Sequence, residues 1–209
     1  PGNLKRNRIR EIVKAAADRG AVIRIGVNSG SLQKDILSRH GGPTPEALVE
    51  SAMSNVALLE DLGFTALKVS LKSSDVPTMV RAYRLASKKM SYPLHLGVTE
   101  AGGVLGSAVK SSVGIGLLLN EGIGDTIRIS LAGNPLTEVE AGRAILCSLG
   151  LRERTGPELI ACPTCGRTEI DLIGMANRVQ EALRDIHRPI TVAVMGCVVN
   201  GPGEAERSE

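Results

Sequence analysis

Short runs rich in β-branched residues alternate along this chain with longer amphipathic segments. The runs at about 22–27 (VIRIGV), 66–72 (ALKVSLK), 94–99 (LHLGVT), 126–131 (TIRISL), 158–162 (ELIAC) and 190–196 (ITVAVMG) predict strands. Helical periodicity predicts helices at about 44–62, 75–90, 104–121, 137–149 and 169–186, with another near 4–19. Thr44, ahead of Pro45 and Glu46, reads as an N-cap before a first-turn proline, and Asp75 and Thr137 read as caps of their own helices. Strict β–α alternation implies parallel strands joined by right-handed crossovers. The polar stretch RERTGPE, residues 152–158, predicts a boundary between a first domain, 1–152, and a smaller one, 153–209.

Within the first four strands the alternation carries a second message. A parallel strand covered on both faces should be apolar throughout. Here Arg24, Gly26 and Asn28 share one face and Ile23, Ile25 and Val27 the other. Lys68, Ser70 and Lys72 oppose Leu67, Val69 and Leu71. His95, Gly97 and Thr99 oppose Leu94, Leu96 and Val98, and Arg128 and Ser130 oppose Ile127, Ile129 and Leu131. In a β/α barrel such a polar face points into the lumen, and active sites lie at the carboxyl ends of the strands. Basic side chains gathered there are costly to desolvate without an anion, and a diphosphate is a natural partner. An open sheet with one wet face, its Lys and Arg merely solvated, is the competing reading. Glu100, directly after the third strand in GVTEAGG, places a carboxylate at that same end, suited to acid/base or hydroxyl-binding work.

Composition narrows the classes. The chain of 209 residues is 43% hydrophobic and 22% charged, within the range of a soluble globular protein. No apolar run reaches the ~20 residues of a membrane span, which predicts no membrane segment. A net charge of +3 is too mild to predict nucleic-acid binding, and only Phe64, Tyr83 and Tyr92 could stack on bases. The segment Ala101–Gly106 lacks the first glycine of a dinucleotide fingerprint, and the acidic residue expected about 20 positions on, after a second strand, is absent, since Glu121 precedes that strand.

Four cysteines without an export signal fit a reducing cytoplasm, where CxxC means metal or redox chemistry. Cys162 and Cys165 form ACPTC at the end of one strand, and Cys197 ends the next, in GCVVNGPGE. Three strand-end sulfurs can converge. Structural zinc would want a fourth Cys or His, and His187 is the only nearby histidine; a zinc-stabilised, non-catalytic anion-binding domain is the alternative this leaves open. Cys147, in AILCSLGL, reads as a buried structural thiol. An iron–sulfur cluster usually wants four cysteines, so three suggest an iron held differently, and the loop after Cys197 offers Glu204.

The segments RIGVNSGSL, KVSLKSSD, PLHLGVTEAGG, EGIGDTIRISL, ACPTC and GCVVNGPGEA occur in this order over nearly the whole chain. Together they resemble the 4-hydroxy-3-methylbut-2-en-1-yl diphosphate synthases of the methylerythritol phosphate route to isoprenoids. The resemblance implies an α/β architecture: the second half of a (β/α)8 TIM-type barrel followed by part of a small α/β iron–sulfur domain. It implies reductive ring opening and dehydroxylation of 2-C-methyl-D-erythritol 2,4-cyclodiphosphate by two electrons from ferredoxin or flavodoxin. Cys162, Cys165 and Cys197 would be thiolate ligands of a [4Fe-4S] cluster and Glu204 its fourth protein ligand. Arg24, Asn28, Lys72, Arg128 and Ser130 would contact the diphosphate, with Glu100 serving the reaction. It further implies a head-to-tail homodimer, a bacterial cytoplasmic setting, and further segments of the protein on either side of this stretch.

Overall fold

A computed structural model of the chain describes residues 6–199 and 201–205. The polypeptide divides into two compact units, Pro1–Leu149 and Gly150–Glu209. The first is built on four parallel strands: β1 (Ile23–Asn28), β2 (Leu67–Lys72), β3 (His95–Leu96) and β4 (Thr126–Ile127). β1 pairs with β2 from Ile23↔Leu67 to Asn28↔Lys72, and β3 with β4 through His95↔Thr126 and Leu96↔Ile127. A single bridge, Val69↔Leu94, joins the two pairs. The register sets Gly26, Ser70, His95 and Thr126 in one row across the strands, and Asn28 and Lys72 in the row above.

The helices follow from local chemistry. α1 (Arg6–Ala17) buries Ile9 and Val13, one helical turn apart. α3 (Pro45–Glu60) starts where Thr44 Oγ1 accepts from the Ala47 amide, and α4 (Val76–Lys89) where Asp75 Oδ2 accepts from that of Thr78. α5 (Val104–Asn120) lies between α4 and α6 (Pro135–Ser148). The cap of α6 is Asn134, which accepts from Leu136 N just ahead of Pro135; Thr137, the cap expected from sequence, sits inside the first turn. An asparagine directly before a proline carries both helix-start signals, and they outweigh the threonine.

Two features depart from the periodicity. α2 (Lys34–His40) fills a stretch without a predicted element; it is one of the shortest helices and buries only Ile36, too little for a periodic signal. It ends at Gly41 in the left-handed region (φ 68°), and Arg39 and His40 pair with Glu50 of α3. β3 and β4 are two residues each, against six expected. At Gly97 a Cβ would stand 2.7 Å from the Arg128 carbonyl oxygen, so the two backbones crowd together there and regular pairing stops. The core itself obeys the pattern: Ile25, Val69, Leu71, Leu96 and Val98 are buried against the helices.

The second unit pairs β5 (Glu158–Ala161) in parallel with β6 (Thr191–Val194), from Glu158↔Thr191 to Ala161↔Val194. α7 (Leu172–Ala182) connects them, capped by Asp171 onto Gly174 N, and α8 (Gly201–Ala205) follows β6. No helix among the described residues is long and apolar enough to cross a membrane.

Candidate functional site

The polar face of the first unit is the candidate site. Pleating turns Arg24 and Asn28 of β1 to the face opposite the buried Ile25 and Val27. Lys72 closes β2 and is only 6% exposed. Its aliphatic chain lies over Gly97, where a Cβ would meet Lys72 Cε at 3.4 Å, so glycine is what lets the side chain pass. Burial, together with the charges of Arg128 and Arg24, pushes the Lys72 ammonium down to about 8. Among the described residues, the opposing influence is Glu138 of α6. Glu138 Oε1 also accepts from the Leu131 amide at 3.0 Å, which ties the start of α6 to the end of the fourth strand.

His95 shows how closely the cations gather. Burial, then Arg24, Lys72, Lys68 and Arg128 in that order, lower its imidazole to about 4. Four positive side chains therefore act on one point, and no carboxylate among the described residues acts on His95 itself. That electrostatic arrangement is costly in an empty site and favourable around a multivalent anion.

Of the residues expected from sequence, Arg24, Lys72 and Arg128 are thus brought within mutual electrostatic reach. Asn28 is the register partner of Lys72. The Ser130 carbonyl accepts from Ser107 Oγ at 3.0 Å, which fixes the strand end to α5. Glu100 is exposed and carries φ 52°, the one non-glycine residue with positive φ among those described. Its carboxylate faces the 3-10 turn Ser29–Ser31 after β1, with Oε1 3.8 Å from where a Cβ on Gly30 would stand. Glu138, Gly97 and His95 also touch or act on this cluster and were not singled out from sequence. The first lies at the foot of a helix and the second has no side chain; His95 was visible on the polar face, but nothing local marked it out.

In the second unit the strand pairing brings the thiols to one end. Cys162 N donates to the Val194 carbonyl (3.1 Å) and Glu169 N to that of Gly196 (3.3 Å), so the ACPTC loop folds against the end of β6. A Cβ on Gly196 would meet Thr168 Cγ2 at 2.9 Å; glycine next to Cys197 permits this approach. Thr168 Oγ1 in turn accepts from Cys165 N at 3.1 Å. None of the cysteines is in a disulfide; Cys162 and Cys197 are half-buried and Cys165 is exposed. The backbone N–H of Arg167, and then its charge, hold the Cys165 thiol below its ordinary value and favour the thiolate. Three free thiols at adjacent strand ends, one already biased toward thiolate, fit the ligation of an iron–sulfur cluster. Among the described residues no group of three His, Cys, Asp or Glu is close enough for a single metal ion. Glu204 lies on α8 and its side chain is outside the described residues. Cys147, on α6 of the first unit, is half-buried rather than buried.

Parallel strands backed by helices, with a cluster of cations gathered on their polar face, define a β/α protein of the barrel class with a face suited to an anion. Its second unit adds a thiol-bearing sheet. The chain belongs to the GcpE family: residues 1–143 match the GcpE TIM-barrel domain and residues 158–209 the GcpE protein C-terminal domain. It is 57% identical over its whole length to a protein of Caldanaerobacter subterraneus subsp. tengcongensis named 4-hydroxy-3-methylbut-2-en-1-yl diphosphate synthase (flavodoxin), covering 59% of that relative. Similar proteins of the same name occur in Proteus mirabilis (57% identity, 56% of the relative covered) and Geobacter sulfurreducens (53%, 59% covered). The chain spans rather more than half the length of these curated relatives.

Proposed function

We propose that the full protein containing this chain catalyses reductive ring opening and dehydroxylation of 2-C-methyl-D-erythritol 2,4-cyclodiphosphate to 4-hydroxy-3-methylbut-2-enyl diphosphate. The observation that carries the reading is the convergence of Arg24, Lys68, Lys72 and Arg128 on His95, on which no carboxylate among the described residues acts. A doubly phosphorylated substrate supplies the missing negative charge. The name of the relatives supports flavodoxin as the electron donor.

In this reading Arg24, Lys72 and Arg128 neutralise the diphosphate, while Asn28 and Ser130 hydrogen-bond to it and fix its orientation. The depressed Lys72 responds to binding: an anion beside it favours the ammonium, so near and above pH 8 the site takes up a proton as substrate enters. Glu100, held in a strained backbone conformation at the strand end, positions a substrate hydroxyl or carries its proton. In the second unit Cys162, Cys165 and Cys197 hold a 4Fe-4S cluster, with Glu204 as the fourth ligand. When bound, that cluster supplies the electrons for C–O cleavage. The units divide the work accordingly, residues 1–152 binding substrate and 153–209 the cluster, and two chains assemble head to tail.

The decisive experiment uses the full-length protein purified without oxygen, with reduced flavodoxin and the cyclic diphosphate. Iron in the protein, a visible charge-transfer absorption and turnover are expected together. Stoichiometric zinc, no colour after reconstitution and no turnover would establish the zinc-stabilised binding domain instead.

A further inference from the structure

His95 sits in the middle of the cationic row, and the substrate reading leaves it without a task. It is 9% exposed and its contacts define its chemistry. Nε2 stands 3.5 Å from Arg24 Nη1, and Nδ1 2.9 Å from Thr126 Oγ1. A guanidinium can only donate, so Nε2 must present its lone pair to Arg24. The ring proton then lies on Nδ1 and is donated to Thr126. The backbone of the residue is pinned as well: the Tyr83 hydroxyl donates to the His95 carbonyl at 2.6 Å and accepts from the Leu71 amide at 3.0 Å. The same buried phenol thus sets the heights of β2 and β3 relative to each other.

Arg24 comes from β1, Lys68 and Lys72 from β2 and Arg128 from the residue just after β4, and all four oppose a positive charge on the imidazole. The ring therefore stays neutral down to about 4. A neutral acceptor in a nest of cations is the one kind of protein group that can hold a guanidinium without cancelling its charge. A carboxylate in its place would bind Arg24 more tightly but remove the attraction for an anion.

We infer that His95 is a positioning residue for the diphosphate, its neutral Nε2 holding one N–H of Arg24 so that the remaining donors of the guanidinium face the bound anion. This rests on the diphosphate reading of the row. Arg24 is otherwise an exposed, rotamer-rich side chain, and fixing its head before binding lowers the entropy lost when substrate arrives.

The test measures binding of inorganic pyrophosphate to the full-length protein by calorimetry, a readout independent of turnover. His95→Asn keeps a polar group where Nδ1 was and removes the acceptor facing Arg24; affinity is expected to fall about tenfold. His95→Gln places an amide near the former Nε2 and should retain affinity within about threefold. In an Arg24→Met background, His95→Asn should cost nothing more, because it acts through the arginine. In turnover the Asn variant should raise KM with a smaller effect on kcat. The wild-type protein offers a measurement that no folding defect can spoil: NMR of the ring nitrogens should show the Nδ1–H tautomer. Equal binding by the Asn variant, equal loss in both His95 variants, or an Nε2–H tautomer each overturns the inference while leaving the substrate reading intact. If Arg24→Met itself binds pyrophosphate as the wild type does, the substrate reading falls, and the role of His95 falls with it.

Discussion

Lys72 shows how a single residue couples stability to function. Its folded value of about 8 lies below its ordinary 10.5, so folding disfavours the charged form. The resulting cost is present below about pH 8 and disappears as pH rises towards 10.5. Without an anion, the full-length protein should therefore gain stability across that interval, as read by urea unfolding at several pH values. Lys72→Met should flatten this rise, raise stability at neutral pH by on the order of 1 kcal/mol, and weaken pyrophosphate binding at least tenfold. Unchanged pH dependence in the variant would show that Lys72 is solvated. Glu100 makes the opposite trade. Replacing it with glycine relieves a backbone at φ 52° and should stabilise the protein by roughly 0.5 kcal/mol while removing its contribution to turnover. Glu100→Gln, keeping the strain, should lower turnover with no change in unfolding midpoint.

Among the elements, β3 is the short strand on which the site depends. Only two of its residues pair with β4, yet it carries His95 and leads to Gly97 and Glu100. What compensates is α4: Tyr83, fully buried, spans the Leu71 amide and the His95 carbonyl. Tyr83→Phe leaves both groups without that partner and should cost about 1–3 kcal/mol in unfolding free energy. Amide exchange should quicken most at Leu71. A uniform increase over the whole unit would mean the hydroxyl has no local role. At the helix starts, Asn134→Ala should destabilise by about 1 kcal/mol, whereas Thr137→Ala should have little effect.

For the whole molecule, the proposed head-to-tail pairing places the barrel of one chain against the cluster domain of its partner. Lys72→Met and Cys197→Ser full-length proteins should each be nearly inactive. Mixed and allowed to exchange subunits, they should recover about a quarter of wild-type activity, since half the dimers are mixed and each holds one intact site. No recovery despite confirmed exchange would mean that each chain uses its own cluster. Iron content separates the ligands. Cys197→Ser should lose most of its iron, and Glu204→Gln should retain it with altered turnover. Cys147→Ala should change neither; loss of iron there, with normal turnover in Glu204→Gln, would transfer the fourth position to Cys147.

The sequence alone determined the order of the strands and long helices, and the polar face, because side-chain direction in a strand follows from the pleat whatever surrounds it. The caps at Thr44 and Asp75 were equally local, a side chain reaching an amide three residues on. The motif order identified the family. What the sequence could not determine depends on distances between segments far apart in the chain. That Lys72 is buried over Gly97, that β3 and β4 cease pairing where their backbones crowd, and that Glu138 tempers a lysine 66 positions away, all arise from packing. His95 is the clearest case. Its place on the polar face was legible, but its neutrality was not, for that is set by four cations arriving from separate segments of the chain, and only the tertiary structure brings them to one point.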